Sequence, residues 1–341
     1  MRRGWLPFLL AALAASVVLA AAAGSVRLPL GTTAGILLHA LHLGGAGAWP
    51  GWQEIVLLEV RLPRVVVALL AGGGLGISGA VMQGLFRNPM AEPGVVGVSG
   101  GSALGAVLAL YTGWASRSIV WLPVSAILGG LACAFLVYSV ATSRGKTPIS
   151  TLLLAGIAVG GMAISLTAFV LSLALANYEV GRQMVLWLMG GLEGRTWLHV
   201  RLAAPLVLGG SAWLCLYARD LNALATGEEA ALSLGVDVAR TRRDLLILST
   251  LVTAATVAVA GVVGFVGLVV PLMLRLVLGP DHRRLLPACF LGGAVFVILA
   301  DLFCRALIPG EELRLGVLTS MVGGPFFVWL LIRNRRGTEV L

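Results

Sequence analysis

Long apolar stretches joined by short polar connections run the length of the chain, and one extended polar island interrupts them. Apolar windows near the ~20 residues needed to cross hydrocarbon occur at Trp5–Ala23, Val65–Met82, Pro93–Tyr111, Ile119–Val140, Leu152–Ala176, Leu202–Leu216, Leu285–Phe303 and Leu313–Ile332. They lack the ten-residue alternation of a membrane β-barrel, so the pattern predicts an all-α, polytopic membrane protein. A further stretch, Leu245–Leu278, is apolar apart from Ser249, Thr250, Thr253, Thr256 and Arg275. It is too long for one crossing and short for two. Arg2 and Arg3 precede the first window, and Arg333, Arg335 and Arg336 follow the last. The positive-inside bias therefore predicts that both termini are cytoplasmic, which requires an even number of crossings. Two crossings from the ambiguous stretch bring the total to about ten helices, some short or broken. Gly261, Gly264, Gly267 and Pro271 mark the break, and non-helical backbone at that depth survives only where protein or a water-filled cavity satisfies it.

Composition agrees. With 59% hydrophobic residues, 11% charged, 45 Gly and 14 Pro in 341 residues, the chain lacks the charge that an ordinary soluble surface carries, about a quarter of all residues. A single transmembrane domain over residues 1–341 is expected. The start, MRRGWLPFLLAALAASVVLAAAAG, has the basic head and small-residue end of a signal peptide. Its apolar run exceeds the usual 7–15 residues, and removing it would leave an odd number of crossings, so it counts as the first span.

The polar island runs from Asp220 to Asp244. Leu224, Ala231, Leu234 and Val238 recur at roughly helical spacing, with Glu228, Glu229, Asp237 and Arg240 off that stripe. A turn between spans needs no such length, so an amphipathic helix here points to a surface for a cytosolic partner; the bland reading is a connector lying on lipid headgroups. Arg144, Lys146, Arg219, Arg240, Arg242, Arg243, Arg283 and Arg284 fall on the same predicted side. Arg61, Arg64 and Arg305 fall on the other, against the positive-inside rule, and suggest a surface for something acidic outside, with headgroup anchoring as the alternative.

Catalytic chemistry is sparse. Cys133, Cys215, Cys289 and Cys304 are isolated, with no C-x-x-C spacing, and read as packing residues. His39 and His42, three apart, could present two imidazoles to a metal or haem, but beside Trp49 and Trp52 they read better as an interfacial pair; His199 and His282 read as interfacial. The Gly145-Lys146-Thr147 tail of a phosphate loop lacks the required glycine, since Val140 stands there. No ATP site, catalytic residue, metal site or bound cofactor of the chain's own is expected. Asp301 is the one acid well inside a clear window, so the paired carboxylates of a proton or sodium path are missing, and uphill transport would draw on a partner. Gly97, Gly101 and Gly105, and Gly72, Gly76 and Gly79, predict close helix packing. Within RNPMAEPGVVGVSGG, from Arg87 to Gly101, Pro89 and Pro93 bar regular helix, and a broken segment there suits the lining or closing of a path.

The stretches RLPRVVVALLAGGGLGISGAVMQGLFRNPMAEPGVVGVSGG from Arg61, WLMGGLEGRTW from Trp187, LSLGVDVARTRR from Leu232, GFVGLVVP from Gly264, GPDHRRLLP from Gly279, ADLFCR from Ala300 and LRLGVLTSMVGGPFFVWLL from Leu313 cover nearly the whole chain from the second span onward. Jointly they resemble the permease subunits of type II ABC importers, the FecCD-like family serving iron-siderophores, haem and cobalamin. The resemblance implies ten spans in a bacterial inner-membrane protein and a homodimer with the path at its interface. It also implies two cytosolic ATPase subunits that hold ATP and Mg, a periplasmic substrate-binding protein, and no nucleic acid. By position it makes Thr226–Val238 the element resting on the ATPase, with Thr226, Glu228, Glu229, Leu232, Leu234, Gly235 and Val236 in contact. It makes Arg61, Arg64 and Arg305 the docking residues for the binding protein. Asn88 and Met90 fall at a cytoplasmic gate and Ser150 near a second one. Met90 stands where leucine is common, and Leu272 follows Pro271 where relatives often have histidine. The alternative of a different class is a secondary transporter or channel independent of an ATPase.

Overall fold

The computed structural model describes residues 4–24, 28–40, 42–44, 47, 49–143, 147–307 and 312–335, with side chains beyond residue 329 described only for Ile332. Arg2, Arg3, Arg144, Lys146 and Arg336 of the charge pattern lie outside these residues. The described elements are helical: α1 (Trp5–Ala22), α2 (Leu30–Ala40), α3 (Gly51–Ile55), α4 (Leu62–Phe86), α5 (Val98–Tyr111), α6 (Trp114–Arg117), α7 (Trp121–Ala141), α8 (Ile149–Ala174), α9 (Tyr178–Leu188), α10 (Trp197–Leu216), α11 (Ala218–Thr226), α12 (Glu228–Ser233), α13 (Val238–Ala260), α14 (Val266–Leu278), α15 (His282–Ala306) and α16 (Leu315–Arg335). A π-helical stretch, Val56–Arg61, joins α3 to α4 without a break.

Among the described residues seven helices are long and apolar enough to cross a membrane: α1, the continuous rod Gly51–Phe86, α7, α8, α10, α13 and α15. The apolar helices α5, α14 and α16 occupy the remaining predicted crossings. The ambiguous stretch resolves as two helices. α13 ends at Ala260, and α14, of 13 residues, rises only ~20 Å at 1.5 Å per residue. Pro271 inside α14 has no N–H for the Gly267 carbonyl four residues back. The buried Gln83 amide of α4 reaches that carbonyl at 3.4 Å and the Leu268 carbonyl at 3.2 Å, so protein satisfies the broken backbone.

α4 is the hub, buried along nearly its whole length. Gly72 of α4 and Gly293 of α15 lie backbone to backbone, and a Cβ on either would meet the other's carbonyl; Gly76 meets the Cys289 carbonyl in the same way. Gly101 of α5 and Gly129 of α7 repeat the arrangement, with Gly105 against the Ser125 carbonyl. Both glycine series are therefore packing devices, as their spacing predicts. Cys289 and Cys304 are buried free thiols and Cys133 and Cys215 are half-buried. The segments between spans hold elements the hydrophobic pattern misses, because α2 and α9 have only 11 residues each.

The polar island departs from the single amphipathic helix that its spacing predicts. Gly227 adopts φ 126°, ψ 157°, which no helix continues through, so α11 and α12 are separate. Leu224, Ala231 and Val238 of the predicted stripe are buried, whereas Leu234 is 70% exposed, because the chain turns at Gly235 with φ 80°. Asp237 then caps α13 by accepting from the Arg240 N–H at 3.0 Å.

Candidate functional site

One end of the bundle gathers α11, α12, the segment 87–97 and the turn before α15. Asn222 ties α11 to that turn: its Nδ2 donates to Asp281 at 2.7 Å, and its Oδ1 accepts from the His282 N–H at 2.9 Å. This hydrogen bond, with the Arg283 N–H and neighbouring arginines, holds the Asp281 carboxyl below its usual range. His282 is buried, its ring against Gly84 of α4, so the interfacial position predicted for it is corrected.

Within the island, Arg242 pairs with Glu228 at 2.9 Å, fixing α12 to the first turn of α13. Tyr217 donates to Asp244 at 2.8 Å, and Thr226 donates to the Ala223 carbonyl at 2.7 Å. Glu229, Leu232, Leu234 and Gly235 are exposed, and Val236 packs partly against the core. Leu232 at 57% and Leu234 at 70% exposure form an apolar tip beside acidic Glu229, outside the spans.

After α4 the chain turns sharply. Arg87 takes a left-handed conformation with φ 47°, and Asn88 Oδ1 accepts from the Met90 N–H at 2.9 Å. Met90 is exposed, followed by a 3-10 turn, Pro93–Val96, which packs on α8 where Gly156 meets the Val95 carbonyl. Ser150 lies exposed in the first turn of α8, the helix on which the Pro93–Val96 turn packs. Glu92, between the two prolines, has its carboxyl raised above its usual range by burial. Thr147 of the incomplete phosphate-loop pattern shares a hydrogen bond with Thr142 at 2.8 Å.

The opposite end corrects the reading of Arg61, Arg64 and Arg305 as an exposed set. Arg61 is 5% exposed and donates from Nη1 to the Ala21 and Ala22 carbonyls at 2.8 and 2.7 Å, capping the C-terminal end of α1. Arg64 grips buried Asp301 of α15, from Nη2 at 2.8 Å and Nε at 3.1 Å, and reaches Glu312 at 2.9 Å. Arg305 Nε approaches Asp301 Oδ2 to 3.1 Å, and its Nη atoms donate to the Ala23 and Ala20 carbonyls. The three cations are drawn inward because helix-end carbonyls and a buried carboxylate need them. Sequence reading missed this clasp, though Asp301 and Arg305 at i, i+4 on an apolar helix was a usable signal.

Two further arginines adjoin the clasp. Arg314 pairs with Glu193 at 3.1 Å, and Arg195 lies by the cap of α10, where burial and the charge of Arg64 bring it down to about 10. His199 accepts from the Thr196 N–H at 3.2 Å and is buried as part of that cap, which corrects its predicted interfacial place. His39 meets Trp49 edge-on at 5.9 Å. Among the described residues no three His, Cys, Asp or Glu side chains converge as a metal site.

Between these ends an apolar cleft of about 580 Å³ opens beside Met189, Val262, Gly264, Gly316, Val317 and Met321. Gly190 and Gly316 both abut the Val262 carbonyl, so the break between α13 and α14 is seated on α9 and α16. On α16, Met321 and the neighbouring Val322 are exposed. Such a lining offers no catalytic group and suits passage or packing.

Comparison with known proteins bears on this arrangement. The model of the FecCD transport family matches residues 12–333. A cobalamin import system permease protein, BtuC, of Halobacterium salinarum is 42% identical over 327 residues, covering 91% of this chain and 87% of the relative. The hemin transport system permease protein HmuU of Yersinia pestis is 40% identical, covering 82% and 84%. The Fe(3+) dicitrate transport system permease protein FecD of Escherichia coli is 38% identical, covering 89% and 96%. A solved structure described as an inward-facing metal-chelate type ABC transporter superposes with TM-score 0.84 at 31% identity, covering 96% of this chain and 98% of that one.

Proposed function

Because this chain belongs to the FecCD transport family, a family of ABC transporter permeases, we propose that it is the membrane subunit of an ATP-driven importer for a large metal chelate. Cobalamin, haem and iron-siderophore complexes form the substrate class, in keeping with what the relatives are named for. The importer works as a homodimer in the bacterial inner membrane, with both termini cytoplasmic and the path between the two copies. Two cytosolic ATPase subunits carry ATP and Mg, and a periplasmic protein delivers the substrate.

The observation that carries this reading is the apolar tip Leu232–Leu234, held outside the bilayer by the Arg242–Glu228 pair. A membrane chain gains nothing from exposing two leucines to water, so the tip supports a docking site for a partner. Arg219, Arg240, Arg242, Arg243, Arg283 and Arg284 cluster at the same end, which supports a cytoplasmic side for it. Asn88, Met90 and Ser150 then form the cytoplasmic gate. At the other end, Arg64, Arg305 and Arg314 gather round Asp301, Glu312 and Glu193, and this charged patch supports the docking of a binding protein by its field rather than through three exposed side chains. Asp301, locked between two arginines, is a poor relay for a proton or sodium path, so an ATPase-independent transporter finds no support there.

Copurification tests the reading. The wild-type chain expressed with its cognate ATPase should hold that subunit through a pull-down, and Leu232→Asp with Leu234→Asp should release it while membrane insertion persists. Retention of the ATPase by the double variant would overturn the docking site. Uptake of haem, a ferric siderophore and cobalamin into reconstituted vesicles then selects the substrate.

A further inference from the structure

A smaller cavity adjoins the clasp end of the bundle, enclosed by α5, α7, α9 and the turn from Gly191 to Arg195. It holds about 300 Å³, at the lower edge of the range for small-molecule sites (~300–1,000 Å³). Leu110, Leu122, Leu186 and Trp187 wall it, and Arg195 and Arg314 are its two cations. Glu193 and Gly194 line its mouth and are exposed, so the cavity opens to solvent.

The two cations differ. Arg314 donates to Glu193 at 3.1 Å, and that pair is neutral. Arg195 enters no ion pair among the described residues, and the charge that acts on it is another cation, Arg64. Its Nη2 makes one long bond, 3.4 Å to the Gly191 carbonyl, and its Nε is buried without an acceptor. Its Nη1 lies 3.4 Å from His199 Nε2, but His199 accepts the Thr196 N–H at Nδ1, and an imidazole that accepts there carries its hydrogen on Nε2. Donor therefore faces donor. The other carboxylates at this end are engaged or in water: Asp301 and Glu312 hold Arg64, Glu179 accepts from Gln183, Glu54 accepts from Trp49, and Glu59 is exposed. A guanidinium drawn out of water with neither an anion nor a full set of acceptors is costly. Arg195 is in that state on the wall of a cavity.

The lining selects the ligand. Aliphatic walls and an indole suit hydrocarbon, and one unpaired guanidinium matches a single negative charge, which a carboxylate carries and a phosphate near its dianion exceeds. The cavity also borders the apolar cleft: Trp187 and Arg314 line the one, Leu188 and Gly316 the other. We propose that this cavity takes the carboxylate of a small organic ligand on Arg195, and that in the working importer this is a carboxylate arm of the chelate whose body occupies the cleft. That source rests on the importer reading; the carboxylate site itself does not.

Labelling of arginine by phenylglyoxal tests site and source. In the purified full-length chain in non-ionic detergent, mass spectrometry quantifies the modified Arg195 peptide with and without added ligand. Benzoate should protect Arg195 at about one-tenth of the concentration that isosteric benzamide requires, the ratio one charge-assisted hydrogen bond supplies, while labelling of exposed Arg201 stays unchanged. Equal protection by the two, or protection by neither, overturns the site. Haem and ferric dicitrate, both bearing carboxylates, report on the source: one or the other should protect Arg195, and haem dimethyl ester should not. Protection by neither chelate, protection by the ester as strong as by haem, or protection by an acidic binding protein alone overturns the assignment to the chelate. Arg195→Gln should bind haem about tenfold more weakly, with Arg195→Lys recovering part of the affinity, and equal binding by wild type and both variants counts against the site. The benzoate assay uses no ATPase, so its failure leaves the copurification result standing and the two readings fail separately.

Discussion

Replacing Asp301 with asparagine removes a buried carboxylate that joins α4 to α15 while preserving its shape. Asp301 is 2% exposed; it accepts from Arg64 Nε and Nη2 at 3.1 and 2.8 Å, and Arg305 Nε lies 3.1 Å from its other oxygen. Removing one partner of a buried ion pair costs about 3–5 kcal/mol, chiefly by leaving an uncompensated charge. Two features here lower the figure. Arg64 keeps Glu312 at 2.9 Å, and Arg305 keeps two carbonyls of the α1 end. The expected loss for Asp301→Asn is therefore near the bottom of the range, about 3 kcal/mol. Glu312, with 37% of its side chain exposed, serves as control, and Glu312→Gln should cost about 0.2–1 kcal/mol. Reversible unfolding of the purified chain in mixed micelles, titrated with denaturing detergent, reads both values. A loss for Asp301→Asn no larger than that for Glu312→Gln would refute the buried clasp and return Arg64 and Arg305 to the role of exposed cations.

The glycine contacts make a paired prediction: Gly293→Ala should destabilise by about 1–3 kcal/mol through overpacking on the Gly72 carbonyl. Gly209→Ala, with open space around its Cβ, should instead stabilise by about 0.4–1 kcal/mol, and equal effects in the same unfolding assay would refute the packing geometry. Burial raises the Glu92 carboxyl, so the folded chain holds this proton more tightly than the unfolded one, and stability falls as pH rises from the ordinary carboxylate range near ~4.3. Glu92→Gln should remove that fall above the ordinary carboxylate range, and a slope identical to wild type would refute it. Met90→Cys should crosslink the two copies in the closed state and stop transport, and no crosslink in any nucleotide state would place this turn away from the path.

The sequence by itself determined the number and order of the spans, because the cost of unsatisfied backbone in hydrocarbon forces helices of a readable length and composition. It determined the broken crossing after Gly261 and the glycine seams as well, since both follow from residues whose backbone properties are local. The charged side chains were different. Arg61, Arg64 and Arg305 read as outward cations because their partners, the end of α1 and Asp301, are distant in sequence and adjacent only in space. Leu234 was set on one stripe with Leu224, Ala231 and Val238 because its spacing assumed one continuous helix, and Gly227 and Gly235 part it from them. Hydrophobic burial against lipid is a property of each segment and can be read along the chain. Which cation meets which carboxylate depends on how the helices pack, and only the tertiary structure decided that.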